Sequence, residues 1–249
     1  MKQEWLSIGF SLLIGVMTLA VGWGYVDTRA SLAHQQTLFN IQGRASQVRA
    51  NLESELNQRL LMVQGLSAFV QASKSVDDQA FENYARALMT DRPYVMSLQL
   101  APDAVVTYVY PYEPNKTIIG HDLKIDPARF GPVREAIENR EFRLAGPLDL
   151  LQGGNAVIGR LPIYTYQDGE ESFWGLATIL MDVKSMIADI LRRNPLVDTR
   201  IAIRGKDGKG AEGEVFHGDE QVFMASPVLV NITLPFGSWQ IAAVPKDGW

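Results

Sequence analysis

Between Trp5 and Val26 the chain runs for 22 residues, WLSIGFSLLIGVMTLAVGWGYV, without a charge. That is the length of helix needed to cross a bilayer. Trp5 near one end, and Trp23 with Tyr25 near the other, match the aromatic belts that settle at headgroup level. A cleaved signal peptide is the rival reading. Its apolar core would be only roughly 7 to 15 residues and would end in a small-residue cleavage site, whereas this run is longer and no Ala-x-Ala follows it. The sequence therefore predicts an uncleaved membrane anchor over residues 5–26, in contact with lipid, after a short segment 1–4. Charge alone does not orient it, because Lys2 on one side is balanced by Arg29 and Arg44 on the other.

The remaining chain narrows the function classes. With 249 residues there is room for one large domain or two small ones. A formal net charge of −5 carries no basic footprint, so nucleic acid is not an expected partner. The absence of cysteine removes disulfides and thiolate metal sites, and suits a compartment where stray thiols would oxidise.

From Thr28 to Ser73 there are almost no helix breakers. Leu38, Ile41, Ala45, Val48, Leu52, Leu56, Val63, Leu66 and Val70 recur mostly at steps of three or four. This predicts one long stalk helix over 27–73, its narrow stripe suited either to pairing with a second copy or to covering its own domain. Asp77 and Asp78 are cap candidates for a helix carrying Phe81, Tyr84, Ala85 and Leu88, ended by Asp91-Arg92-Pro93. The period then shortens. VMSLQLAP and AVVTYVYP read as a hairpin around Pro102-Asp103. PVREAIENRE (132–141) reads as a helix, NAVIGRLPIYTY (155–166) and SFWGLATILM (172–181) as strands joined by QDGE, and VKSMIADILRR as a helix capped by Asp182. After Pro195, strands are expected at Thr199–Arg204, Val222–Pro227 and Gly237–Val244, around the loop GKDGKGAEGE. The prediction is an α+β protein with a larger sheet unit over 74–194. A smaller unit over 195–249, too short to rely on its own core, packs against it.

Catalytic signatures are absent from the sequence. His34, His121 and His217 are far apart and form no metal-ligand spacing; neither a nucleophile elbow nor a phosphate-binding loop is present, and QGGNAVIG lacks the order of a dinucleotide fingerprint. No cofactor is expected. What remains is a binding argument. Tyr108 and Tyr110 lie two apart, so a strand presents both rings on one face, toward a cavity. Pro111 and Pro114 then force the chain out of the ladder, leaving Gly120-His121-Asp122 irregular. Asp122, set between Ile118-Ile119 and Leu123, must satisfy its carboxylate either on backbone amides as a cap or on the donors of a ligand.

The runs SLQLAPDAVVTYVYPYEPNKTIIGHDL, AIENREFRLAGPLDLLQGGNAVIGRLPIY and FWGLATILMDVKSMI, in that order over about Ala68 to Ile190, resemble the CHASE domain. CHASE is the extracellular sensory module of bacterial diguanylate cyclases, histidine kinases and adenylate cyclases and of plant cytokinin receptors. The resemblance implies a long helix followed by two PAS-like antiparallel sheet units, with a ligand pocket in the membrane-distal one and dimerisation through the stalk. It also implies that everything after Asp27 lies outside the cytoplasm, in the periplasm of a bacterium with its anchor in the inner membrane. In the plant receptors an aspartate before the central helix binds adenine, and a leucine before a Ser-Pro or Gly-Pro pair contributes backbone contacts. By resemblance these positions are Asp122 and Leu144, the latter two residues before Gly146-Pro147. This chain departs from the plant pattern in the charged LKIDPARF that follows, so an adenine-type ligand is one candidate among several. Arg160 is another ligand candidate: its planar fork suits a carboxylate or phosphate, although a surface salt bridge is its commoner use.

The expected function is thus a sensor that converts a small molecule held near Tyr108, Tyr110, Asp122, Leu144, Gly146 and Arg160 into movement of a dimeric helix. A cytoplasmic output domain, a diguanylate cyclase or next a histidine kinase, would read that movement. The segment itself is not expected to be an enzyme, and the rival is a protein-recognition module with no small-molecule pocket.

Overall fold

The three- and four-residue steps from Ile41 to Val70 produce a helical spine. In the computed structural model, which describes residues 2–126, 130–167, 169–194 and 198–249, α1 spans Lys2–Leu60 and α2 spans Met62–Ala72. Leu61 between them keeps right-handed helical geometry (φ −65°, ψ −16°). At 1.5 Å per residue, the 59 residues of α1 extend roughly 88 Å. Ile41, Ala45, Val48, Leu52 and Leu56, then Val63, Leu66 and Val70, are all buried against the chain's own sheets. Of the two uses that the stripe suits, covering its own domain is the one these side chains serve, as part of the intramolecular core. Farther toward the N-terminus the helix is bare, with Leu32 57% and Phe39 77% exposed. Among the described residues no helix is long and apolar enough to cross a membrane. The expected span Trp5–Val26 is helical within α1, and most of its side chains lie outside the described residues.

α3 (Asp78–Met89) starts where Asp77 caps it, the carboxylate accepting from the Ala80 amide at 2.8 Å. The larger sheet holds β1 (Val95–Pro102), β2 (Tyr108–Tyr110), β3 (Arg143–Asp149), β4 (Asn155–Gln167) and β5 (Glu170–Met181), all antiparallel in the order β2-β1-β5-β4-β3. Strand β3 escaped the sequence reading because Gly146-Pro147 interrupts its alternation; the register shifts there, between Ala145 and Leu148. α4 (Phe130–Asn139) and α5 (Val183–Arg193) complete this unit, α5 capped by Asp182 as expected. The turn predicted at QDGE includes Asp168, outside the described residues.

The smaller sheet comprises β6 (Thr199–Arg204), β7 (Val215–His217), β8 (Val228–Thr233) and β9 (Ser238–Pro245), in the order β7-β6-β9-β8. The strand expected at Val222–Pro227 is corrected. Glu220–Met224 is a 3-10 turn, whose start Asp219 caps through the Gln221 amide at 2.9 Å, and the strand follows it as β8. The boundary placed at residue 195 falls on Pro195–Val197, outside the described residues. One core joins both sheets to the spine: Leu52 and Leu56 of α1 share it with Leu98 and Ile179 of the larger sheet and with Ile203, Trp239 and Ile241 of the smaller. At the far end the Trp249 ring lies edge-on to His34 of α1, centroids 5.2 Å apart.

Candidate functional site

Period-2 alternation gives the larger sheet two distinct faces. Its inner face, against the helical spine, carries Leu98, Leu100, Val157, Ile163, Ala177 and Ile179. Its outer face is also covered, at one end by Leu123, Ile118, Val106 and Val133 around Ala101 and Leu176, and at the other by Leu150 and Leu148 around Ile158 and Leu180. Between these apolar ends a polar row crosses the sheet. Arg143 on β3 stands opposite Arg160 on β4, Arg160 opposite Thr178 on β5, and Thr178 opposite Gln99 on β1. Arg160, Thr178 and Gln99 are 4%, 2% and 3% exposed.

Burying a polar row inside an apolar face costs free energy unless every group is bonded, and this row is under-supplied. The Thr178 hydroxyl and the Gln152 side-chain carbonyl have no hydrogen-bond partner among the described residues, and Gln99 reaches only the Ser97 hydroxyl, at 3.4 Å. Gln99, Gln152 and Arg160 meet at an enclosed cavity of about 10 Å³, walled by Ile118, Leu123, Leu150, Ile158 and Leu180. It has room for about one water. Arg160 also lines a wider cleft of about 460 Å³ that opens beside β3 and α4 toward the smaller unit, within the size range of small-molecule sites. The charged lining of that cleft is Arg143, Arg160, Lys206 and Lys209 against Glu135 and Asp207. Arg143 is held by Glu141 at 2.8 Å and Glu135 at 3.6 Å, and Lys206 by Glu214 at 2.8 Å. The Lys206 ammonium is pushed up and the Glu214 carboxyl down by their mutual hydrogen bond.

The structure brings three of the six predicted residues to this cleft. Arg160 is buried within it. Leu144 borders it, while its side chain packs into the inner core beside Phe142. Gly146 is adjacent: its amide donates to Asp207 Oδ1 at 2.6 Å, and its φ of +95° together with the 2.8 Å approach of the Ala156 carbonyl leaves no room for a Cβ. Tyr108 and Tyr110 stand on the other face, packed on the spine core. The Tyr108 hydroxyl donates to the Val76 carbonyl at 2.8 Å, and burial, with Asp78 and Asp77 nearby, raises its pKa above the usual phenol value. Asp122 borders neither cavity; its carboxylate accepts from the Lys124 amide at 2.8 Å, closing an Asx turn. Its neighbours Ile118 and Leu123 do wall the enclosed cavity. Sequence reasoning missed Gln99, Thr178 and Gln152. The available signal was a polar residue in each of two largely apolar strands, Gln99 (with Ser97) in VMSLQLAP and Thr178 in FWGLATILM, but their alignment in one row required the register.

Residues 101–217 match the CHASE domain family. This CHASE match begins in β1 and ends in β7, so it contains the whole polar row except Gln99 and all of the charged residues around the cleft. The matched family is a sensory one. The fold is shared with an extracellular ligand-binding receptor from Desulfohalobium retbaense (TM-score 0.65, 14% identity), over 82% of this chain. This chain spans only 40% of that receptor's length. The ligand-binding domain of the Pseudomonas aeruginosa amino-acid chemoreceptor PctC, in complex with GABA, superposes with a TM-score of 0.61 at 14% identity, covering 83% of this chain and 99% of that one. The extracellular domain of a protein described as a histidine kinase, rpHK1S-Z16, gives 0.63 at 11%, covering 87% and 97%. At these identities the likeness is one of fold. No curated protein sequence matches the chain.

Proposed function

We propose that this chain is the periplasmic sensor of a bacterial inner-membrane receptor, anchored through Trp5–Val26, and that it binds a small anionic molecule on Arg160. The observation that carries this reading is the polar row on the outer face: a buried guanidinium directly opposite a second arginine, continued by an unpartnered hydroxyl and a weakly bonded amide. An anion between the two guanidiniums is held by charge-assisted, bidentate hydrogen bonds. The PctC fold relative holds GABA, whose carboxylate is the kind of group such a fork recognises. Asp122 supports the wall of the enclosed cavity through its turn. Copies pair through the bare N-terminal part of α1, near Leu32 and Phe39, and an output domain, a diguanylate cyclase or a histidine kinase, reads the change.

The test is calorimetric titration and thermal unfolding of the full chain in detergent with amino acids, organic acids, phosphates and purines. A ligand present at a hundred times its Kd stabilises the folded state by about 2.7 kcal/mol. At least one anion should do so, and Arg160→Gln should abolish the effect. Stabilisation by a purine that survives Arg160→Gln would move the ligand elsewhere; no small-molecule response at all would favour a protein-recognition role.

A further inference from the structure

Resting on the reading of Arg160 as the anion site, we infer that the ligand is a dianion that bridges the two sheet units. The cleft is built by both. Arg143 and Arg160 come from β3 and β4 of the larger unit, while Lys206, Asp207 and Lys209 come from the turn after β6 in the smaller. Four cationic and two acidic side chains line the cleft, and Glu141 and Glu214 pair from beside it with Arg143 and Lys206.

The positive charge is split into two groups on two bodies. One is the arginine pair on the sheet, the other the lysine pair on the turn. A single carboxylate bound to Arg160 does not reach across the 460 Å³ cleft to Lys209, whereas Lys206 is already paired with Glu214. A molecule with an acid at each end answers both, and the shared chemistry is two anionic groups on a short flexible chain, carboxylate or phosphonate-like. The turn is already tied to the sheet, since Asp207 Oδ1 accepts from the Gly146 amide at 2.6 Å. Lys209 in turn bridges to Ser238 at the start of β9, which packs on α1. A dianion drawing Lys206 and Lys209 toward Arg160 therefore moves the turn that joins the pocket to the smaller sheet. It can do so only by its difference in affinity for the two arrangements.

The experiment is a titration of the full chain in detergent with four compounds that share a three-methylene carboxylate: glutarate, 4-phosphonobutyrate, GABA and butyrate. They differ only at the far end, which is a carboxylate, a phosphonate, an ammonium or a hydrogen. Glutarate or 4-phosphonobutyrate should bind at least tenfold more tightly than butyrate, with GABA no better than butyrate; which dianion wins distinguishes a dicarboxylate from a phospho-acid source. Lys206→Ala combined with Lys209→Ala should bring the dianion down about tenfold, to the butyrate level, and leave butyrate binding unchanged. Arg160→Gln, or Arg160→Lys if the glutamine variant does not fold, should weaken all four. Equal affinity for dianion and butyrate, or a dianion affinity unaffected by the lysine changes, would overturn the bridge while leaving Arg160 as the anion site. GABA binding best would replace the dianion by a zwitterion. Binding that ignores Arg160 would overturn the site itself, and no binding by any of the four at millimolar concentration would overturn the dianion, leaving the wider ligand screen to decide the sensor role.

Discussion

Arg143 and Arg160 occupy opposite positions on adjacent strands, and Arg143 is paired with the carboxylates of Glu135 and Glu141. Next along the row, the Thr178 hydroxyl is buried with no hydrogen-bond partner among the described residues. A buried orphan hydroxyl costs about 1 to 3 kcal/mol, whereas an apolar isostere costs little. Thr178→Val should therefore stabilise the unliganded protein by about 1 kcal/mol, read as a higher denaturant midpoint at unchanged slope; a lower midpoint would show that the hydroxyl is bonded. Asp122 gives the opposite sign. Its bond to the Lys124 amide makes Asp122→Ala cost about 1 kcal/mol, measured in the same way. His217 on β7 adds a pH dependence, because burial holds its pKa below the usual imidazole value. The unfolded chain then takes up a proton before the folded one does, so stability is full above the ordinary value near 6.5. It declines as pH falls from there toward the depressed folded value. His217→Gln should flatten that decline in unfolding curves collected between pH 7 and pH 5.

At the scale of elements, the spine divides into a part that is core and a part that is surface. Leu52, fully buried between the sheets, should lose about 2 to 5 kcal/mol on Leu52→Ala. Phe39, one step outside the stripe and 77% exposed, should change stability by less than about 0.5 kcal/mol on Phe39→Ala. If copies pair there, the same change should lower the dimer fraction in sedimentation measurements; an unaltered dimer would place the pairing elsewhere. Helix periodicity, cap residues and strand alternation were legible locally: Asp77 and Asp182 cap where expected, and β1, β4, β5, β6 and β9 lie on the runs that alternate. Strand β3 was not legible. Its Gly146-Pro147 pair breaks the alternation that identifies a strand, and its place at the sheet edge depends on pairing with β4 across a register shift. The six candidate site residues divided for a similar reason. Tyr108 and Tyr110 share a face as predicted, but whether that face meets a cavity or the spine depends on what the sheet packs against.

For the whole molecule, the shared core sets the expected behaviour. Trp239 and Ile241 of the smaller sheet lie in the same cluster as Leu98 and Ile179 of the larger, with α1 between. The two units should therefore unfold together, in one calorimetric transition whose van't Hoff and calorimetric enthalpies agree; two separated transitions would mean that the units are independent. The sequence by itself determined the inventory: a long spine helix, an α+β body of two strand-rich units, and a charge-free apolar run near the N-terminus. These follow from patterns within a few residues of each other, where hydrophobic period and cap chemistry act. Only the tertiary structure decided that the spine stripe is spent on this chain's own sheets and that Arg143, Arg160, Thr178 and Gln99 form one row. It alone also joined Asp207 to Gly146, 61 residues away. Strand register and sheet-on-helix packing set those meetings, and both are long-range choices that no local stretch of chain encodes.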